Sequence, residues 1–307
     1  MDGIRVQFAA GAGNDRRREA RNAAGQRHRP VIALIDSGLG LLDTAHRIHQ
    51  LRPDAELRLW IDSADAPWGT KDPAWIRARV LRTVEFALRD GAEIIVLPCN
   101  TASAHALVEA RAATGPIPVV GTVPAIKPAS ARHAKFAIWA TPATVGSAVQ
   151  QDLIDTFASQ AQAVPVASET LASAVEIGSR SRISVAIDAA VALTPDDCTA
   201  VVLGCTHYSL VSKQIRTALR PDIELYDGAQ AVADRTVSLL PVQQIGSVLG
   251  SVTVFDGGIQ VRSLPRSALL YEPGLAIEKL CTSTQFVESG GLSGNQLWVD
   301  AAAEVVS

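Results

Sequence analysis

"IVLPCNTAS" at residues 95–103 and "VVLGCTHYS" at residues 201–209 share Val, Leu, Cys and Ser at the same offsets. Each is a run apolar on nearly every residue that stops at a cysteine, Cys99 or Cys205, and then turns polar. Such a run reads as a strand buried on both faces, the mark of a parallel sheet covered by helices. A helical stretch follows each cysteine, "ASAHALVEARA" in one case and "SLVSKQIRTALR" in the other. "LIDSG" at 34–38 and "IWATP" at 138–142 hold comparable places, each leaving a strand ahead of its cysteine. The pattern predicts an internal repeat: two similar lobes, each presenting one thiol to a shared cleft.

Six further runs extend the pattern. "VIALIDS", "ELRLWID", "IPVVGTV", "KFAIWAT", "QAVPVAS" and "IELYDG" read as strands, and amphipathic stretches separate most of the runs. In "PAWIRARVLRTVEFALRDG", Ile76, Val80, Val84 and Leu88 recur at i+4 and Gly91 closes the helix. "ATVGSAVQQDLIDTF" reads as another helix. Alternating strand and helix predicts an α/β fold with mainly parallel sheets. The expected division is a first lobe of residues 30–121 plus 229–307, and a second of residues 122–228.

The composition narrows the function. The 307 residues are 48% hydrophobic, enough for a well-covered core, and the formal net charge is -3. That charge gives no case for nucleic acid or an anionic membrane as partner. No apolar run approaches the roughly 20 residues of a membrane span. The N-terminus lacks an apolar signal core, so a cytoplasmic protein is expected. Residues 1–29, rich in Ala, Gly and Arg, read as a disordered tail. The four cysteines, Cys99, Cys198, Cys205 and Cys281, form neither a disulfide framework nor a CxxC zinc pair. Cys198 and Cys281 belong to no polar constellation and read as structural.

Polar residues gather where the apolar runs end: Asp36-Ser37-Gly38, Cys99-Asn100-Thr101, Thr141-Pro142 and Cys205-Thr206-His207. In open α/β sheets that edge is where ligands bind. A cysteine there lies near helix N–H groups and the positive end of a dipole, both of which favour thiolate. One cysteine can then serve as base and another as acid. His207 is two residues from Cys205 and can help set its protonation. Asp36 reads either as a helix cap or as a carboxylate that orients a thiol or a substrate ammonium. "APWGTK" at 66–71 is a tight loop or a lip over the cleft, with Gly69 admitting a ligand to the backbone. "DSGLGLL" lacks the third glycine of GxGxxG and any Walker lysine, so nucleotide binding has little support. Glu176, alone in "AVEIG", reads as a single acid near a helix end.

Together these motifs resemble the cofactor-independent aspartate/glutamate racemase superfamily, and its glutamate branch in particular. The resemblance runs from about Pro30 to Ala233 through "IDSGLG", "APWGTK", "PCNTASA", "VVGTVPAIKPA", "ATPATVGS", "VEIG" and "GCTHYSL". It implies two pseudosymmetric α/β lobes with the active site between them, and no pyridoxal phosphate, metal or nucleotide. It implies that Cys99 and Cys205 exchange the α-proton of an amino acid from opposite faces. Asp36 would assist Cys99, while Glu176 and His207 would assist Cys205. Ser37, Trp68, Gly69, Asn100, Thr101, Thr141, Thr144 and Thr206 would hold the substrate. A homodimer and a role in supplying D-glutamate for peptidoglycan are further implications.

The chain departs from the family pattern at Leu41, where a glycine is usual, at Trp68 for tyrosine, and at Ser209 for proline. "SETLASAVEIG" replaces a usual Cys-Pro, and the last 70 or so residues match poorly. Aspartate or another small acid therefore stays open as substrate, as does a binding protein that has lost turnover. A Cys-His hydrolase would leave the second cysteine without a purpose.

Overall fold

The computed structural model describes residues 28–241 and 249–281. The chain runs β1 Val31–Ile35, α1 Leu41–Leu51, β2 Glu56–Ile61, α2 Pro73–Arg89, β3 Ile94–Leu97, α3 Asn100–Thr114 and β4 Val119–Gly121. It then forms α4 Ile126–Ser130, β5 Lys135–Ala140, α5 Pro142–Val145, α6 Ala148–Phe157, β6 Gln162–Ala167, α7 Leu171–Glu176 and α8 Arg180–Leu193. β7 Ala200–Leu203, α9 Thr206–Ser209, α10 Ser212–Ala218, β8 Glu224–Tyr226 and α11 Ala229–Ser238 follow. β9 Val252–Asp256, β10 Ile259–Val261 and α12 Glu272–Glu278 complete the described strands and α-helices.

Two sheets result. The first has strand order β10-β9-β2-β1-β3-β4, the second β6-β5-β7-β8. All pairs are parallel except β9 with β10. The order β2-β1-β3-β4 recurs as β6-β5-β7-β8, so β1 matches β5 and β3 matches β7. The fold is therefore two like α/β units, and the short echo around the cysteines belongs to this repeat. In each unit the chain steps first to one side of the opening strand and then to the other. That reversal leaves a crevice beyond the strands' carboxyl ends.

Burial explains the composition of the strands. β1, β3 and β7 are buried at every residue, as central parallel strands must be. β6 lies at an edge, where Pro165 removes no ladder hydrogen bond from an inner strand. One apolar core joins the two sheets, running from Ile32 and Leu34 through Trp139 and Val201 to Tyr208 and Tyr271. α2 begins at the Asp72 cap, whose side chain accepts from the Ala74 and Trp75 amides, and ends before Gly91 at φ 89°.

Several expectations are corrected. "ATVGSAVQQDLIDTF" is two helices rather than one. Ser147 takes an extended conformation, and its hydroxyl caps α6 by accepting from the Gln150 amide at 3.2 Å. The helix after Cys205 begins at Thr206, stops after one turn, and resumes at Ser212. A hairpin unremarked in the sequence, β9–β10, turns at Gly257 and Gly258, both at positive φ. β9 adds to β2, so the chain returns to the first sheet after completing the second. Of the expected tail, residues 1–27 lie outside the described residues. His28 is described, and its Nε2 lies 2.7 Å from Glu93 Oε2. Among the described residues no helix is long and apolar enough to cross a membrane.

Candidate active site

The equivalent strands β3 and β7 deliver the two thiols. Each cysteine follows its strand in extended conformation and stands at the N-cap position of the helix beyond it, where only the Cys99 thiol accepts a backbone N–H. The two cysteines are 5% and 7% exposed, nearly shut from solvent, and Cys99 lies within reach of the Cys205 charge. All four cysteines are free. Cys198 is fully buried in the core, and the Cys281 thiol lies 3.6 Å from the Ile277 carbonyl.

Asp36, at the end of β1, is the hub on the Cys99 side. Its Oδ1 accepts from the Ser37 amide at 2.6 Å and the Ser37 hydroxyl at 3.1 Å. Its Oδ2 accepts from the Thr206 hydroxyl at 3.1 Å, a contact that crosses from the first sheet's loop to the second's. Asp36 also lies within electrostatic reach of Cys99. Burial raises the Asp36 carboxyl to about 6, against the opposing charge of His207 and these hydrogen bonds. The helix end alone favours a thiolate at Cys99, but here it is outweighed. Burial and the Asp36 charge push that thiol well above its usual range, and the Ala102 amide, 3.5 Å from Sγ, only partly offsets them.

The Cys205 side is built differently. His207 Nδ1 lies 3.9 Å from Cys205 Sγ, and its Nε2 lies 2.7 Å from Glu176 Oε2. Burial disfavours the imidazolium, but the bonds to Cys205 and Glu176 and their charges win. His207 is held protonated well above the ordinary histidine range. The same Glu176 oxygen accepts the Leu39 amide at 2.9 Å, tying α7 to the β1 loop.

The glycines of "DSGLG" make this approach possible. A Cβ on Gly38 would stand 2.3 Å from Glu176 Oε2. One on Gly40 would stand 2.3 Å from Thr206 Oγ1 and 2.5 Å from Asp36 Oδ2. Their role is close packing of one lobe's loop on the other's side chains, not phosphate binding.

The remaining candidates divide. Thr101 Oγ1 lies 3.3 Å from both Thr141 Oγ1 and Thr144 Oγ1, which are 3.1 Å apart, a triangle of hydroxyls across the two units. Gly69 packs on Thr141, where a Cβ would come within 2.6 Å. Trp68 is corrected. It is 1% exposed, packs with Trp60, Ile76 and Val80, and donates its Nε1–H to Asp62 Oδ2 at 2.9 Å. The lip's contact across the cleft is thus made by Gly69, while the indole anchors the loop from beneath. Asp62 is itself gripped by Arg79 at 2.8 and 2.7 Å. Leu41 is fully buried in the shared core.

Some supporting groups escape sequence reasoning. The Leu39 amide carries no side-chain signal. Tyr271 comes from the poorly matching C-terminal segment, and its hydroxyl donates to the Val175 carbonyl at 2.6 Å, next to Glu176. Burial and the Glu176 charge raise the Tyr271 hydroxyl to about 12.

Two like lobes, each ending a central strand at a buried thiol with an ionisable partner beside it, form the frame of the site. The chain belongs to the Asp/Glu/Hydantoin racemase family, which it matches over residues 36–236. It is 33% identical to the glutamate racemase of Roseiflexus sp. (strain RS-1) over 233 residues, 74% of this chain and 85% of that one. It is 33% identical to the glutamate racemase of Ectopseudomonas mendocina (strain ymp) over 217 residues, 68% of this chain and 81% of that one. Among solved structures, Escherichia coli glutamate racemase with L-glutamate and the activator UDP-MurNAc-ala superposes with a TM-score of 0.69. Identity is 27%, covering 81% of this chain and 95% of that one.

Proposed function

We propose that this chain interconverts L- and D-glutamate by passing the α-proton between Cys99 and Cys205. The observation that carries the reading is the repeated strand order, through which the two thiols stand at equivalent strand ends within electrostatic reach. Racemisation needs an acid and a base on opposite faces of one carbon, and two thiols from two related lobes supply them.

In the arrangement described, Cys99 is the thiol and therefore the proton donor. Cys205, as thiolate, takes the α-proton and leaves an electron pair on the α-carbon, delocalised into the carboxylate. Cys99 S–H then delivers its proton to the opposite face and becomes the thiolate. The product is the mirror image, and the roles are reversed for the next turnover. The His207 imidazolium carries the countercharge when Cys205 is ionised, and Glu176 holds that imidazolium in place. Asp36 orients the Cys99 thiol. Ser37, Gly69, Asn100, Thr101, Thr141, Thr144 and Thr206 hold the carboxylates and ammonium. The two thiols do the acid and base work themselves, so the reading calls for no added cofactor.

The lobes are proposed to divide at 121/122 and 228/229, between β4 and α4 and between β8 and α11. A homodimer in the cytoplasm supplying D-glutamate for peptidoglycan completes the reading, on the family resemblance.

Purified protein incubated with L-glutamate in deuterium oxide, without added cofactor, is expected to lose optical rotation and gain α-deuterium. L-Aspartate in a parallel reaction tests the alternative substrate. No exchange with either amino acid removes the racemase assignment.

A further inference from the structure

Gln150, on α6, is 2% exposed, and both atoms of its amide are buried without a hydrogen-bond partner. Its backbone N–H is used, donating to Ser147 Oγ. Burying an amide with neither its donor nor its acceptor satisfied costs about 1–3 kcal/mol per group, so such a side chain calls for an explanation. A methionine would fill the same volume without the cost.

The explanation lies in what faces it. α6 packs on α3, and a small cavity opens between them, lined by Gln150, Asn100, Thr144, Ser147 and the loop after β4 at Thr122 and Val123. The Oδ1 of Asn100 is likewise buried without a partner. Two amides from opposite lobes therefore line one small void whose remaining walls, Ala104, Pro124, Val149 and Leu153 among them, are largely apolar. The space open to the centre of a water molecule is about 10 Å³, room for a single water and too little for a carboxylate. Gln150 offers a donor and an acceptor, and Asn100 Oδ1 needs a donor. A water accepting from Gln150 Nε2 and donating to Asn100 Oδ1 would partner one atom of each amide.

We propose that Gln150 is a positioning residue for substrate binding: through one buried water in this cavity it fixes the amide of Asn100, the residue that follows Cys99. Asn100 begins α3 directly beside the thiol, and its Nδ2 is the donor left for a substrate carboxylate once Oδ1 is held. Gln150 touches no reacting atom. It acts across the two lobes, so the orientation of Asn100 depends on how the second lobe sits on the first. The inference rests on the reading of Asn100 as a substrate-holding residue of a glutamate racemase.

The test is a kinetic cycle of Gln150→Met, Asn100→Ala and the double variant, with thermal melting of each. Gln150→Met is expected to raise KM for glutamate about five-fold, the worth of one hydrogen bond of about 1 kcal/mol, with kcat within two-fold of the parent. Its melting temperature should hold or fall only slightly. Asn100→Ala should raise KM further, and the double variant should match Asn100→Ala, because both act through the same group. Parent-like KM in Gln150→Met with a raised KM in Asn100→Ala overturns the role of Gln150 and leaves the substrate reading intact. Unchanged KM in Asn100→Ala overturns both. Additive effects in the double variant also overturn the proposal. A crystal structure must show one ordered water within hydrogen-bond distance of both amides, and its absence is a further refutation.

Discussion

Glu176 Oε2 accepts from both His207 Nε2, at 2.7 Å, and the Leu39 amide, at 2.9 Å, so one carboxylate oxygen joins the imidazole beside Cys205 to the loop after β1. The bond to the imidazolium is charge-assisted and buried, worth about 1.5–3 kcal/mol. Glu176→Gln keeps an oxygen for Leu39 but removes the charge. The imidazole pKa of His207 is then expected to fall, since the Glu176 bond and charge are among the forces that raise it. NMR titration of the ring reads that shift. Turnover should drop roughly 10- to 100-fold, the same energy expressed as a rate. An unmoved titration would separate Glu176 from the state of His207.

Gly40 supplies a steric prediction. A methyl group there would lie 2.3 Å from Thr206 Oγ1, 2.5 Å from Asp36 Oδ2 and 2.8 Å from His207 Nδ1. All three side chains belong to the site, so whatever yields, the geometry around both thiols changes. Gly40→Ala is expected to cost at least tenfold in kcat/KM. Gly146→Ala is the control. Its Cβ meets only the Pro142 carbonyl at 3.5 Å, an ordinary contact, and its activity should match the parent's.

These two cases also mark what the sequence could and could not disclose. The eight apolar runs are all strands, and the central ones, β1, β3 and β7, are buried on both faces, which leaves a compositional mark independent of their partners. The paired cysteines were legible for a related reason, since each follows such a strand directly. Contacts between lobes were not. Gly38 and Gly40 look like a failed phosphate loop until Glu176 and Thr206 arrive from far along the chain. Trp68 reads as a substrate-holding residue because sequence places a residue in a loop without giving the direction of its side chain. The Asp62 acceptor decides that direction. The β9–β10 hairpin carried a readable Asp-Gly-Gly turn signal between alternating residues, "VTVFDGGIQV". It was obscured by the segment's poor match to the family rather than by its chemistry.

Replacement of either thiol tests the proton-transfer reading most directly. Cys99→Ala and Cys205→Ala each remove one face of the exchange, so racemisation should fall by about 10³-fold or more in both. Polarimetry with L-glutamate and with D-glutamate measures it. Near-normal turnover in either variant would defeat the two-thiol mechanism. Cys198→Ala changes a fully buried thiol away from the crevice. It should cost stability through a small cavity and leave turnover unchanged.

Asp36 couples activity and stability to pH in opposite senses. Its carboxyl is raised from 3.8 to about 6, chiefly by burial. A raised carboxyl binds its proton more tightly in the folded protein than in the unfolded chain. Its stabilising contribution is therefore present in full below pH 3.8 and is lost as pH rises through about 6. At neutral pH the buried carboxylate costs the fold about 3 kcal/mol relative to an unshifted one. Asp36→Asn should remove that cost. In urea titrations at pH 7.5 the variant should gain stability over the parent, and the gain should shrink toward pH 4.5. Catalysis should move the other way. If the carboxylate is the form that orients Cys99, kcat/KM of the parent falls as pH drops through about 6, and Asp36→Asn is slow at every pH with no such limb. A parent profile flat between pH 5 and 7, or a variant that keeps the acid limb, would assign that ionisation to another group.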